Sequence, residues 1–151
     1  LGMQSAVIEF SRNVLNLKDA NSTEMNPKTS APVIDLMDMQ KSITEKGGTM
    51  RLGAYECYLK NKSNAYNAYK NNKISERHRH RFEFNNKYKD DLEEAGLIAT
   101  GINKKNNLVE VIEIPSHPWF VGVQFHPEFK STVDTPHPLF CGFIEACINN
   151  K

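Results

Sequence analysis

Apolar residues near the start of the chain recur with the spacing of an amphipathic helix. Met3, Val7 and Phe10 are separated by four and three positions, and side chains with this spacing share one face of an α-helix. We therefore predict a helix over residues 3–15 with this face buried. A helix usually begins at a Ser, Thr, Asp or Asn cap, whereas a Leu-Gly pair occupies that place here.

Short runs of apolar or alternating residues between turn-forming residues predict the strands. We expect strands at residues 32–37, 54–60, 76–84, 97–100, 108–114 and 119–125, with a glycine-bracketed loop at 47–53. In the run 76–84, His and Phe alternate with Arg and Glu, so the two groups point to opposite faces of a strand. The run 119–125 is almost entirely apolar, which predicts a position in the centre of the sheet.

Three further helices are expected along the chain. Ser63 is placed to cap a short helix that ends at Tyr69, and residues 90–95 fit a helical turn before a glycine. A final helix begins near Pro138. Its apolar residues have helical spacing and are expected to pack on the sheet: Phe140, Phe143, Ile144, Cys147 and Ile148. Helices and unevenly connected strands together predict one α/β domain with a mixed sheet.

The composition limits the classes of partner. The chain has 151 residues, of which 39% are hydrophobic, and this is enough for one domain with its own core. Nineteen basic and eighteen acidic side chains nearly cancel, so we expect no nucleic-acid partner. No apolar run is long enough to cross a membrane. Three cysteines without CxxC spacing favour a reducing, cytoplasmic location.

A histidine and a carboxylate at the end of the last predicted strand are the first candidates for chemistry. His126 is followed by a proline, which keeps the backbone extended, so Glu128 leaves the chain on the same face. Such a pair can serve as the base and its orienting acid in nucleophilic catalysis. It can equally be a local hydrogen bond without a catalytic role. Of the cysteines, Cys57 lies within a predicted strand and the others within the last helix.

The start of the chain has the pattern of a turn that carries a nucleophile. A glycine followed at once by helical periodicity is typical of the downstream side of a nucleophile elbow. In such an elbow we expect the nucleophile immediately before Leu1. The backbone N–H of Leu1 would then donate a hydrogen bond to the oxyanion.

Six motifs in order then resemble a known family. They are LGMQ, NSTE, GGTMRLG, ERHRHRFEFN, HPWFVGVQFHPEF and HPLF. LGMQ and HPE resemble the class I (triad-type) glutamine amidotransferases, and the full set resembles the amidotransferase domain of the CTP synthase family. The resemblance implies a flavodoxin-like α/β fold, with a mixed central sheet flanked by helices. It also implies that residues 1–151 are the C-terminal portion of that domain, without the upstream segment that holds the nucleophilic Cys and without the synthetase domain.

The resemblance implies roles for particular residues. His126 matches the catalytic base and Glu128 its orienting acid, while Leu1, Gly2, Met3 and Gln4 match the elbow segment that cradles glutamine. Glu24 matches the carboxylate for the substrate's α-ammonium, and Arg81 the group for its α-carboxylate. An amino acid does need one fixed charge of each sign, and Arg suits a carboxylate. The residues that match a lid coupled to GTP are Gly48, Thr49, Met50, Arg51, Leu52 and Gly53.

The implied reaction is hydrolysis of L-glutamine to glutamate and ammonia through a cysteine thioester. In the family, a synthetase domain that binds Mg-ATP and UTP uses the ammonia to form CTP, GTP is an allosteric activator, and the full-length protein is a homo-tetramer. The resemblance implies no metal or other cofactor in this chain.

Alternatives remain open for the basic strand and for the whole chain. His78 and His80 share a strand face and could bind a metal with a third ligand. Arg77 and Arg79 fit a solvated face, a nucleic-acid contact or the lid. The chain as a whole could be a non-catalytic module that binds glutamine or GTP, or a binding domain built on the basic strand.

Overall fold

The computed structural model describes residues 1–36 and 50–150, and these form two sheets with helices packed on them. The strands are Ala20–Ser22 (β1), Ala31–Leu36 (β2), Arg51–Leu59 (β3), Lys73–His80 (β4), Phe82–Phe84 (β5), Ile98–Asn103 (β6), Leu108–Glu113 (β7) and Val121–Val123 (β8). The helices are Gly2–Asn13 (α1), Asn64–Tyr69 (α2), Lys89–Glu94 (α3) and Pro138–Asn149 (α4). Short 3-10 helices span Asn86–Tyr88 and Pro127–Lys130. The predicted α/β architecture is confirmed.

The two sheets differ in topology. The smaller sheet has the order β1-β2-β5, in which β1 is parallel to β2 and β5 is antiparallel to it. The larger sheet has the order β4-β3-β6-β7-β8, and all its neighbours are antiparallel. Every residue of β7 is buried. None of the helices in the described ranges has the length and apolar character needed to cross a membrane.

The first helix forms where the periodicity predicts it. Met3, Val7 and Ile8 of α1 are buried in the main core, together with residues of β1 and β2. Leu1 occupies the N-cap position and makes no side-chain capping bond. Helix α2 also forms as predicted, since the Ser63 side chain accepts a hydrogen bond from the backbone of Tyr66.

The predicted strand over residues 76–84 is two strands that belong to different sheets. The chain bends at Arg81, where it leaves β4 in the larger sheet and enters β5 in the smaller one. The predicted alternation is confirmed within β4, where Glu76 and His78 are buried while Arg77 and Arg79 are exposed. It does not continue through the bend, because the backbone changes sheets there.

The prediction of a central strand over residues 119–125 is wrong. Only Val121–Val123 forms a strand, and within the described residues it pairs with β7 alone. The neighbouring Trp119 contacts a helix instead. Trp119 packs against α4, so close that a Cβ added to Gly142 would lie 2.2 Å from the indole ring.

The last helix forms as predicted, but it docks through a different face. Phe140, Phe143 and Ile144 are 42%, 49% and 55% exposed, and of the residues in α4 only Leu139 is buried. Gly142 lies against Trp119, which precedes β8. A residue without a side chain permits this close approach.

The loop prediction for residues 47–53 is wrong at its second end. Arg51 to Gly53 form the start of β3 and pair with β4. Of the predicted lid, Gly48 and Thr49 lie outside the described residues, while Met50 and Leu52 are exposed.

Candidate active site

His126 and Glu128 form a hydrogen-bonded pair directly after the last strand. His126 Nδ1 lies 2.6 Å from Glu128 Oε1. An ionised carboxylate only accepts hydrogen bonds, so Nδ1 carries the proton and Nε2 keeps a free electron pair. The Phe129 ring stacks on the imidazole at 4.7 Å between centroids. An imidazole held in this tautomer can accept a proton at Nε2.

The charge state of Glu128 suits this arrangement. Partial burial works to raise the pKa of Glu128, but the hydrogen bond from His126 and a backbone hydrogen bond outweigh it. The pKa of Glu128 is therefore lower than that of an ordinary glutamate. The carboxylate stays ionised at neutral pH and can orient the histidine.

The turn that carries the pair is fastened to β4 at both ends. The His126 backbone N–H donates to Arg77 O at 2.8 Å, and Lys130 Nζ donates to Ser75 O at 2.7 Å. Lys130 also lies 3.5 Å from Glu76 Oε1. These contacts hold the 3-10 helix between them against the edge of the larger sheet.

The start of α1 contributes a second polar group next to this turn. Gln4 is buried, and its Nε2 donates to Phe82 O at 2.9 Å and lies 3.4 Å from Gln124 Oε1. Gln124, two residues before His126, donates from Nε2 to Glu83 Oε2 at 3.2 Å. Helix α1, the start of β5 and the end of β8 therefore meet at one point.

A buried group of charges lies behind these amides. Arg51 donates from Nη1 to Glu83 Oε1 at 3.0 Å and from Nη2 to Glu110 Oε1 at 2.8 Å. Burial raises the pKa of Glu110 to about 6, although Arg51 acts in the opposite direction. Burial lowers the pKa of His78 to about 2, and the nearby Arg51 and His80 add to this effect. Arg51 is thus anchored in the interior by two carboxylates.

The candidate partners for an amino-acid substrate lie at one end of the smaller sheet. Arg81 immediately precedes Phe82, which pairs with Leu36 at the end of β2. Glu24 follows the corresponding end of β1, which is parallel to β2. Arg81 is half-buried and its Nε has no hydrogen-bond partner among the described residues, whereas Glu24 is exposed.

The predicted elbow residues differ in their surroundings. Leu1 is 80% exposed, and its carbonyl accepts the first hydrogen bond of α1, from Ser5. Gly2 lines the same cleft as Pro127, which follows His126. Met3 is part of the hydrophobic core. The structure thus brings the start of α1 to the turn that holds His126.

The metal alternative has no complete ligand set in the described parts of the chain. Residues 1–36 and 50–150 contain no cluster of three or more His, Cys, Asp or Glu side chains that could bind a metal ion. His80 Nε2 instead lies 2.9 Å from Glu83 Oε1, and His78 Nδ1 lies 3.6 Å from Glu110 Oε2.

A family model decides what kind of domain carries this site. The model described as glutamine amidotransferase class-I matches residues 1–146. The chain belongs to the class I glutamine amidotransferase family. The predicted fold class is confirmed for this glutamine amidotransferase.

CTP synthases are among the most similar relatives. A CTP synthase of Christiangramia forsetii is 64% identical over 146 residues, which are 97% of this chain and 27% of that protein. Another from Flavobacterium johnsoniae is 58% identical over 149 residues, which are 99% of this chain and 28% of that protein. This glutamine amidotransferase chain therefore spans about a quarter of the length of the curated relatives that it matches.

A solved structure shares the whole fold. The glutaminase domain of Trypanosoma brucei CTPS with bound acivicin has a TM-score of 0.90 and 41% sequence identity to this glutamine amidotransferase. The match covers 98% of this chain and 58% of that one.

Sequence reasoning overlooked two polar residues of this glutamine amidotransferase. Gln124 interrupts an apolar run and Glu83 lies between two phenylalanines, so each is a polar residue in a setting that predicts burial. A polar residue among apolar neighbours was the feature of the sequence that could have identified both residues, because a buried polar side chain requires a specific partner.

Proposed function

We propose that this chain is part of a glutaminase site that hydrolyses L-glutamine to glutamate and ammonia. The observation that carries the proposal is the 2.6 Å hydrogen bond between His126 Nδ1 and Glu128 Oε1, which leaves Nε2 free to move protons. Membership of the class I glutamine amidotransferase family supports the same reaction.

The nucleophile in this proposal is a cysteine immediately before Leu1. Cys57 is unsuited to the role because it is completely buried and its pKa is raised by burial. The proposed cysteine lies at the start of α1, where the helix N-terminus favours a thiolate. Gly2 and Pro127 line one cleft, which brings this position towards His126.

The reaction proceeds in two halves. The thiol attacks the side-chain amide carbon, His126 Nε2 takes the thiol proton, and the oxyanion accepts a hydrogen bond from the Leu1 N–H. His126 then gives its proton to the amide nitrogen, and the carbon–nitrogen bond breaks. Ammonia leaves, and a γ-glutamyl thioester remains on the cysteine. In the second half, His126 removes a proton from water, and the hydroxide oxygen attacks the thioester. The thiolate departs, recovers the proton from His126, and glutamate is released.

Two charged residues bind the ends of the substrate in this proposal. Arg81 binds the α-carboxylate, which is supported by its buried Nε atom, without a hydrogen-bond partner among the residues that the structure describes. Glu24 binds the α-ammonium from the same end of the smaller sheet. Gln4 and the backbone at Leu1 to Met3 complete the cradle around the bound glutamine.

The ammonia is consumed elsewhere in the full-length protein. We infer that a synthetase segment outside this chain uses Mg-ATP and ammonia to aminate UTP to CTP, in a cytoplasmic homo-tetramer. GTP acts through a lid formed by residues 48–53. This inference rests on relatives named CTP synthase that are nearly four times the length of the matched region.

The test uses the full-length protein and its His126→Asn variant. We expect the variant to lose glutamine-dependent CTP formation by at least about 100-fold and to keep the activity that free ammonia supports. A glutamine analogue with an electrophile at the γ position should label the residue before Leu1. Release of no ammonia from glutamine by the unaltered protein would reject the proposal and leave a non-catalytic binding module.

A further inference from the structure

The side chain of Gln4 carries a buried oxygen without a partner among the described residues. Gln4 is only 3% exposed, and its Oε1 makes no hydrogen bond there. Buried polar atoms are nearly always hydrogen-bonded. An unpaired acceptor next to the His126 turn therefore indicates the place of a ligand's donor group.

The orientation of the neighbouring amide follows from charge. Arg51 Nη1 donates to Glu83 Oε1, and Glu83 Oε2 lies 3.2 Å from Gln124 Nε2. A carboxylate held by a guanidinium only accepts hydrogen bonds. Gln124 must therefore turn its nitrogen to Glu83, and its oxygen faces Gln4.

The same reasoning then fixes the amide of Gln4. The amide atom of Gln4 that faces Gln124 lies 3.4 Å from Gln124 Oε1 and 2.9 Å from Phe82 O. Both neighbours are acceptors, so this atom must be the nitrogen Nε2. The rotated amide would place an oxygen against two oxygens. The Oε1 atom of Gln4 is consequently kept as an acceptor for something else.

We propose that Glu83 and Gln124 are positioning residues that hold Gln4 Oε1 ready to accept a hydrogen bond from the α-ammonium of L-glutamine. The inference rests on the glutaminase function proposed above. Gln4 lies in the first turn of α1, four positions beyond the proposed nucleophile. It also bonds to Phe82 O, beside Arg81, so it meets the amino-acid end of the substrate rather than the amide.

The first test is Gln124→Met in the full-length protein. This variant keeps the length of the side chain. It removes the nitrogen that donates to Glu83 and the oxygen that accepts from Gln4. We expect the KM for glutamine to rise about 5- to 30-fold, the effect of a misplaced hydrogen bond to a charged group, while kcat changes less than about threefold. The Gln124→Asn side chain is too short to contact both Gln4 and Glu83, so this variant should raise the KM as well. It replaces the Met variant in the test if that variant does not fold.

A double-mutant cycle tests whether Gln124 acts through Gln4. In a Gln4→Met background, Gln124→Met should raise the KM no further, because the acceptor that it positions is already absent. Effects of the two substitutions that multiply would mean that Gln124 acts independently of Gln4. That result would overturn the proposal.

A substrate analogue tests the identity of the donor group. The probe 5-amino-5-oxopentanoate is glutamine without its α-ammonium, and we expect it to compete with glutamine. Gln124→Met should leave its inhibition constant unchanged. Equal weakening of glutamine and the analogue would indicate a general disturbance and contradict the proposal.

Thr100→Val is the matched control for a lost buried hydrogen bond. Thr100 is buried and donates to Glu113, a residue outside the group formed by Gln4, Gln124 and Glu83. We expect its KM to equal that of the unaltered protein. An inactive unaltered protein would reject the glutaminase function itself, whereas an active protein with an unchanged KM in both Gln124 variants would reject only the positioning role.

Discussion

The pairing of His126 with Glu128 combines sequence proximity with support from a distant strand. The two residues are near neighbours, and the 3-10 helix that begins at Pro127 brings Oε1 to within 2.6 Å of Nδ1. The backbone bond to Arg77 then fixes the position of the histidine on the larger sheet. The local sequence thus determines the tautomer of His126, and the hydrogen bond to β4 fixes the position of its backbone.

Glu128→Gln tests the orienting role. A glutamine can present either an oxygen or a nitrogen to Nδ1, so the favoured tautomer is no longer enforced. We expect kcat for glutamine hydrolysis to fall about 10- to 100-fold with little change in KM. Steady-state ammonia release measures both constants. Glu145→Gln, at an exposed position of α4, is the control, and equal kcat values for the two variants would contradict the orienting role.

His78 is a second residue whose environment makes a prediction. Burial lowers its pKa to about 2, and Arg51, His80 and His126 contribute in the same direction. The ordinary value is 6.5, so below that pH the unfolded chain binds a proton that the folded chain does not. The free energy of unfolding therefore decreases as the pH falls from 6.5. Glu110, with its pKa raised to about 6, opposes this only between its ordinary value of 4.5 and about 6.

Replacing His78 with Phe should remove this acid sensitivity. Neither ring nitrogen of His78 has a hydrogen-bond partner among the described residues, and the ring packs edge-on against Phe125. Between pH 7 and pH 5, we expect the variant to lose about 2 kcal/mol less unfolding free energy than the unaltered protein. Urea unfolding at both pH values measures the difference. His117→Gln, at an exposed position, should behave like the unaltered protein; the same behaviour from His78→Phe would disprove the linkage.

At the scale of elements, α4 contacts the rest of the described chain through a face other than the one that its apolar spacing predicts. The apolar stripe of this helix predicts a buried face, yet Phe143 and Ile144 are about half exposed. The contact is made by Gly142 against the Trp119 indole. Within the described residues, the closest contact of α4 is therefore made by a residue without a side chain.

Gly142→Ala should disturb the packing of this helix against Trp119. The added Cβ would lie 2.2 Å from Trp119 Cη2, so the ring or the helix must move. We expect a loss of about 1–3 kcal/mol of unfolding free energy from overpacking, despite the better helix propensity of alanine. Urea unfolding provides the measurement. Glu145→Ala on the exposed face is the control, and a Gly142→Ala variant as stable as this control would refute the close contact.

At the scale of the whole molecule, two sheets meet around a polar interior. The larger sheet contributes His78 and Glu110, while the smaller one contributes Glu83. Arg51 joins them through hydrogen bonds to Glu83 and Glu110. Buried charges are tolerated only when they are paired in this way. The bend at Arg81 makes the arrangement possible because it sends one continuous segment through both sheets.

The sequence by itself determined the features that depend on near neighbours. Helical spacing located α1, the alternating pattern separated the two faces of β4, and the HPE motif predicted the His126–Glu128 pair. Each of these depends on residues a few positions apart, whose relative directions are set by backbone geometry.

Only the tertiary structure decided which distant residues meet. The strand predicted over residues 76–84 is divided between two sheets, and Arg51 turns inward instead of forming a loop. The contact from Gln4 to Gln124 spans 120 positions along the chain. Such contacts depend on how the sheets pack, and a local pattern of polar and apolar residues does not specify that packing.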